Sequence, residues 1–238
     1  MELSQKKGLS AYTLKYIAIA AMLADHIAWA FVETASLPGI AMHFVGRITG
    51  PVMFYFIVEG YHHTHNFKKY ATRLAVFAVL AYPAFVYFET GRLPGPGNMF
   101  PVGVIYTLFL GLLALRAKYT IRSGVVKAGA ILGLFLLSVI GDWPLYGIAY
   151  ILVFDAFRGS YKKQFLAGCG VVVFSLLMLV SYPWYMVVIQ AGQFLPLLLL
   201  FAYNGRRGGG NAFSKWVFYI FYPLHLVAIG LVRWAPWA

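Results

Sequence analysis

Long apolar runs separated by short polar or Gly/Pro-rich connections make up almost the whole chain. The runs predict nine helices, over about 12–32, 42–61, 70–88, 98–115, 124–140, 145–157, 164–180, 185–203 and 215–233. Several approach the roughly 20 apolar residues that a bilayer core requires, and lipid admits only helices or closed barrels because backbone polar groups find no water there. The runs are continuously apolar, without period-two alternation, which selects helices. Segments 33–41, 90–97, 142–144 and 182–184 read as turns between them. The run at 145–157 is short for a crossing and is expected to tilt steeply or insert halfway, so eight spans are the alternative to nine. The pattern predicts an all-α, polytopic integral membrane helical bundle of about nine transmembrane helices, one domain over residues 1–238.

Composition agrees: 61% of residues are hydrophobic and 11% charged, with a mean hydropathy of +0.75, too little polar surface for a soluble protein. A net charge of +12 raises the possibility of nucleic-acid binding, but its distribution argues against it. The basic residues cluster at the helix ends and loops of one side, and only Arg47, Arg92 and Arg233 of the 19 Lys and Arg fall elsewhere. Basic loops stay in the cytoplasm, so the N-terminus with Lys6 and Lys7 is expected inside and the C-terminus outside. Trp29, Trp143, Trp184, Trp234 and Trp237 then form an aromatic belt at the outer interface. The single Cys169 excludes an intrachain disulfide. The first apolar run carries charge and has no clear small-residue cleavage site after it, so no cleavable signal peptide is expected.

Candidate chemistry concentrates in the first span. The stretch LKYIAIAAMLADHI at 14–27 places Lys15, Asp25 and His26 in lipid, where each ionisable side chain costs from about 2.5 kcal/mol upward. Lys15 and His26 are eleven residues apart, hence within about 20° on one face and roughly 16 Å apart along the axis. Arg47 falls level with His26 on the second helix and is the natural partner of Asp25, either as an ion pair that holds the bundle or as part of an active site. His26 is the candidate general base, because imidazole titrates near neutrality; Asp25 is expected to orient it or tune it. Lys15, Lys68 and Arg73, beside Glu59, form the basic inner cluster that would attract a soluble cofactor with several phosphates. His62, His63 and His65 lack a convincing ligand set, so no metal is expected. His225, two residues after Pro223, is placed to line the cavity.

Three stretches together carry a family resemblance: LKYIAIAAMLADHI, then HFVGRITGPVMFYFIVEGYHHTHNFKKYATRLAVF, then FYIFYPLHL. The chain resembles the TraX family of integral membrane proteins, named for a conjugation protein that acetylates the N-terminus of pilin. It is also similar to membrane acyltransferases whose first helix carries a basic residue, ten intervening residues and a histidine, with Lys15 here where those enzymes usually have arginine. The resemblance implies acetyl-CoA as acyl donor, His26 in the catalytic role, Lys15 toward the CoA end, and a multi-pass place in a bacterial cytoplasmic (inner) membrane. It leaves the acceptor open: an amine or hydroxyl of pilin or of a surface glycan or peptide. Two other readings are a small multi-span transporter or channel, whose charges line a pathway, and a non-catalytic assembly partner of a secretion system. No inverted repeat of the kind common in transporters is visible.

Overall fold

The computed structural model describes residues 8–99, 101–209 and 212–235; Lys6, Lys7 and Trp237 lie outside them. The apolar runs are helices, and among the described residues the only strand-like pairing is two isolated bridges. The chain is an all-α membrane bundle. Helix α1 (Ala11–Phe31) starts at Ser10, whose hydroxyl accepts from the Thr13 amide. The second run begins earlier than expected, because Ser36 caps α2 (Leu37–Gly46) and draws residues assigned to the turn into the helix. It then breaks at Arg47-Ile48 before α3 (Thr49–His63). Pro51 accounts for the break, since it has no N–H to offer the Arg47 carbonyl one turn earlier.

Asn66 caps α4 (Phe67–Thr90), which Gly91 closes in a left-handed conformation at φ 68°. There follow α5 (Val104–Thr120), α6 (Gly124–Leu137) with a 3-10 turn at Ser138–Ile140, α7 (Tyr146–Ala156) and α8 (Tyr161–Leu177). The eighth run is also broken, into α9 (Trp184–Ala191) and α10 (Phe194–Leu200), where Pro196 has no N–H for the Gly192 carbonyl, which accepts from Leu195 N at 3.0 Å instead. The last helix is α11 (Ala212–Arg233).

Among the described residues, four stretches are long and apolar enough to cross a bilayer: α1, α2 with α3 over 37–63, α4, and 216–233 of α11. The short α7 is central. Ile148, Tyr150, Ile151 and Phe154 are fully buried there, with α3, α5 and α8 packed around it. At the other extreme, α6 buries no residue and shows Val125, Leu132 and Leu136 to its surroundings. Lipid is as apolar as these side chains, so close packing holds such a bundle together more than hydrophobic burial does. Small residues permit it: Ala18, Ala21 and Ala28 on α1 and Ala78, Ala81 and Ala84 on α4 are all buried.

The basic ends of the helices gather on one side. The start of α1 bonds to the glycine-rich loop that follows α10, at 204–209, through Ala11 N to Arg206 O at 2.9 Å. Beside it, Arg158 Nε donates to Glu59 Oε1 at 3.0 Å. At the opposite end, Arg233 Nη1 and Trp234 Nε1 both donate to the Phe88 carbonyl, tying α11 to α4.

Candidate functional site

Two of the cavities between these helices take in most of the predicted site residues. One, of about 180 Å³, lies toward the end opposite the basic loops and is lined by Asp25, His26, Arg47, Glu89, Asp142 and Tyr222, among others. The other, of about 600 Å³, lies at the basic end, and its lining includes Lys15, Glu59, Arg73 and Arg207. Helix α1 serves both, with Lys15 in the basic cavity and His26 in the opposite one.

The approach of α2 to α1 sets the smaller cavity's electrostatics. Gly46 makes that approach possible, because a Cβ there would fall 2.5 Å from the Asp25 side chain. Asp25 is thereby clamped: His43 Nδ1 donates to Oδ1 at 2.8 Å and Arg47 Nη2 to Oδ2 at 3.0 Å. The structure thus brings Arg47 to Asp25, as its depth in the sequence suggested, and adds His43, fully buried and 4.5 Å from the Trp29 ring centroid. Asp25 spends its oxygens on α2 and makes no hydrogen bond to His26 among those described. The His26 ring turns toward α11 and α4, edge-on to Phe88 and Tyr222 at centroid distances of 5.4 and 6.3 Å. Its Nδ1 donates to the Met22 carbonyl at 2.8 Å and lies 3.2 Å from Nε2 of His225. A carbonyl only accepts, so Nδ1 carries the proton and the neutral ring keeps its lone pair on Nε2. That tautomer leaves Nε2 as a base.

Arg47 has capacity left over. Its guanidinium stands 5.5 Å from the Trp143 ring centroid, and its buried Nε finds no partner among the described residues. Trp143 is held by an unusual loop between α6 and α7, in which Trp143 and Leu145 both have positive φ, 64° and 61°. Such conformations cost about 1–3 kcal/mol each and persist only where surrounding contacts enforce them. Here Thr107 donates to the Asp142 carbonyl, Asp142 N bonds to Val102 O, and Leu145 N donates to Ser138. The Asp142 side chain, in this loop rather than in a span, faces the same cavity; burial pushes its carboxyl up to about 6, while Arg47 draws it down.

The basic cavity mixes aromatic walls with cations. Lys15 Nζ lies 4.9 and 5.4 Å from the ring centroids of Phe56 and Phe218. Arg73 stands 5.6 Å over Tyr70, and its buried Nε is without a partner among the described residues. Arg207 reaches in from the glycine-rich loop, with Nη2 donating to the Tyr12 hydroxyl at 3.3 Å. Of the predicted cluster, Lys15, Glu59 and Arg73 line this space, whereas Lys68 is exposed on the first turn of α4 and does not.

Comparison with known proteins follows this geometry. The family model described as "TraX protein" matches residues 10–233, nearly the whole chain. The chain belongs to the TraX family. It is also 33% identical to the probable fimbrial assembly protein FimC, serogroup H1, of Dichelobacter nodosus, over 95% of this chain and 97% of that one. No solved structure matches it.

Sequence reasoning missed several residues of this candidate site. His43, which holds Asp25 from behind the cavity wall, falls where a turn was expected to give way to a helix, and nothing local marks it. Glu89 falls between the predicted helix 70–88 and turn 90–97, Asp142 belongs to the turn 142–144, and Arg207 sits among the inner-loop charges. The histidines at the basic end have partners: His62 Nε2 bonds to Asp155 at 2.6 Å, and His63 Nδ1 donates to the Glu59 carbonyl at 2.7 Å.

Proposed function

We propose that this protein is a membrane acyltransferase that moves an acetyl group from acetyl-CoA, held in the basic cavity, to an amine or hydroxyl presented in the smaller one. One observation carries the reading. A single helix places Lys15 in a large cationic cavity and, roughly 16 Å along the same face, a histidine whose Nδ1 is already committed as a donor. Lys15, Arg73 and Arg207 around about 600 Å³ fit a flexible polyanion, and the unpartnered Arg73 Nε is a donor awaiting an acceptor. The long arm of such a donor would bring the thioester from Lys15 toward His26.

In the transfer, His26 Nε2 takes the proton from the acceptor as its N or O bonds to the thioester carbonyl carbon. The Arg47 guanidinium is the cation nearest the developing oxyanion, and a fixed donor there is worth most where water is excluded. Asp25 and His43 hold Arg47 in place. As the C–S bond breaks, His26 returns its proton to the departing thiolate, so atoms and charge balance. The likeness to a fimbrial assembly protein supports a pilus subunit as acceptor, although a surface glycan or peptide meets the same chemistry. With the basic ends inside, the protein draws its donor from the cytoplasm across a bacterial inner membrane.

Purified protein in lipid nanodiscs, supplied with labelled acetyl-CoA, tests the proposal. Consumption of the thioester, with label passing to an acceptor or slowly to water, is the expected result. An intact thioester, together with movement of solute across proteoliposomes, would replace the enzyme reading with a transporter.

A further inference from the structure

His26 meets a second histidine from the last helix, His225. Two facts fix the tautomers of the histidine pair. His26 Nδ1 lies 2.8 Å from the Met22 carbonyl, and His225 Nδ1 lies 2.7 Å from the Phe221 carbonyl. Each Nδ1 must therefore carry hydrogen, because a carbonyl offers only lone pairs. The neutral His225 then has its lone pair on Nε2, and that atom stands 3.2 Å from His26 Nδ1. The rings meet at 71° with centroids 4.8 Å apart, so one N–H is shared between the Met22 oxygen and the His225 nitrogen. We infer that His225 is the positioning residue of His26, accepting its Nδ1–H and supporting the imidazolium that forms when Nε2 takes a proton. This rests on the reading of His26 as the base.

The placement suits that role. His225 is buried, stacked on Phe221 at 4.8 Å and 11°, and, against the expectation from sequence, lines neither of the two cavities, so it acts on the reacting atoms only through His26. Asp25, adjacent in sequence, has both oxygens engaged by His43 and Arg47. The familiar arrangement uses a carboxylate behind the base; here a neutral acceptor stands there, and its bond strengthens once His26 becomes charged. A second proton on His225 Nε2 would set one N–H against another, so the pair holds a single positive charge.

His225→Phe keeps the ring and its stacking but removes the acceptor, and His225→Gln restores an acceptor at similar reach. In nanodiscs with labelled acetyl-CoA, His225→Phe is expected to lower kcat about 10–100-fold with KM for the donor nearly unchanged, and His225→Gln to recover most of it. In protein carrying 15N-histidine, the His26 Nδ1 resonance should move in His225→Phe and return toward its parental position in His225→Gln. If His225→Phe fails to fold, His225→Asn, too short to reach Nδ1, carries the same expectation. Parental kcat and an unmoved Nδ1 resonance in a folded variant overturn the positioning role alone. A fully active His26→Ala protein overturns the base itself, and the positioning role with it.

Discussion

Asp25 and Asp155 are alike in almost every respect that sequence records. Each is a carboxylate on an apolar helix, and each is answered by a histidine and a cation from neighbouring elements: His43 and Arg47 for Asp25, His62 and Lys118 for Asp155. They differ in what is left over. Asp155 also accepts from the Tyr119 hydroxyl, at 3.0 and 3.2 Å, and lines neither cavity. Around Asp25 there remain a cavity of about 180 Å³, an Arg47 Nε without a partner among the described residues, and beside it a histidine with a free lone pair. Charge inside an apolar bundle requires compensation wherever it occurs. A site is marked by donors and space that survive the compensation.

The histidines of the two regions should therefore respond in opposite ways. His26→Ala is expected to lower turnover by roughly 10²–10⁴, the usual contribution of a positioned base, while the protein still folds and binds its donor. His62→Ala should leave turnover per folded molecule unchanged. Rates of labelled acetyl transfer, normalised to folded protein, check both. Equal losses would mean that histidine replacement disturbs the bundle generally and that the comparison carries no information about chemistry.

The carboxylates separate by stability. Removing one partner of a buried ion pair costs about 3–5 kcal/mol because the other charge is stranded. Asp25→Asn should approach that range, since the side chains of Arg47 and His43 are only 15% and 0% exposed. Asp155→Asn should cost less, about 1–3 kcal/mol, because Lys118 and His62 are 30% and 24% exposed and can turn toward water. Thermal unfolding in a fixed detergent reads the order, and a larger loss at Asp155 would sink this account of the difference.

How far the molecule was legible varies with the range of the interaction. The apolar runs mark the helices, and the eleven-residue spacing of Lys15 and His26 does place one in each cavity. The two helix breaks were only partly written in the chain: Pro51 and Pro196 have no N–H for the carbonyl four residues earlier, yet Pro83 and Pro223 lie inside the unbroken α4 and α11. Reading continuous apolar runs as unbroken helices hid them. The partnership of Asp25 with His43 was not legible, since it depends on Gly46 letting α2 close on α1. The pairing of His26 with His225 crosses 199 residues, and no local pattern encodes it.

Within the basic cluster, a helical wheel draws the distinction that charge alone does not. Lys68 and Arg73 are five residues apart on α4, hence about 140° around the helix, so they cannot share a face. Arg73 lines the basic cavity with its Nε unpartnered, and Lys68 is exposed. A hydrogen bond to a charged group is worth about 1.5–3 kcal/mol, which predicts a roughly tenfold or greater rise in KM for acetyl-CoA in Arg73→Gln. An exposed charge contributes at most about 1 kcal/mol and often nothing, so Lys68→Gln should change KM by less than about fivefold. Steady-state kinetics across donor concentrations distinguish the two. Equal effects from both would indicate that the basic end attracts the donor by diffuse charge and would remove the cavity from the binding site; a rise confined to Arg73→Gln would place the donor against the Arg73 face of α4.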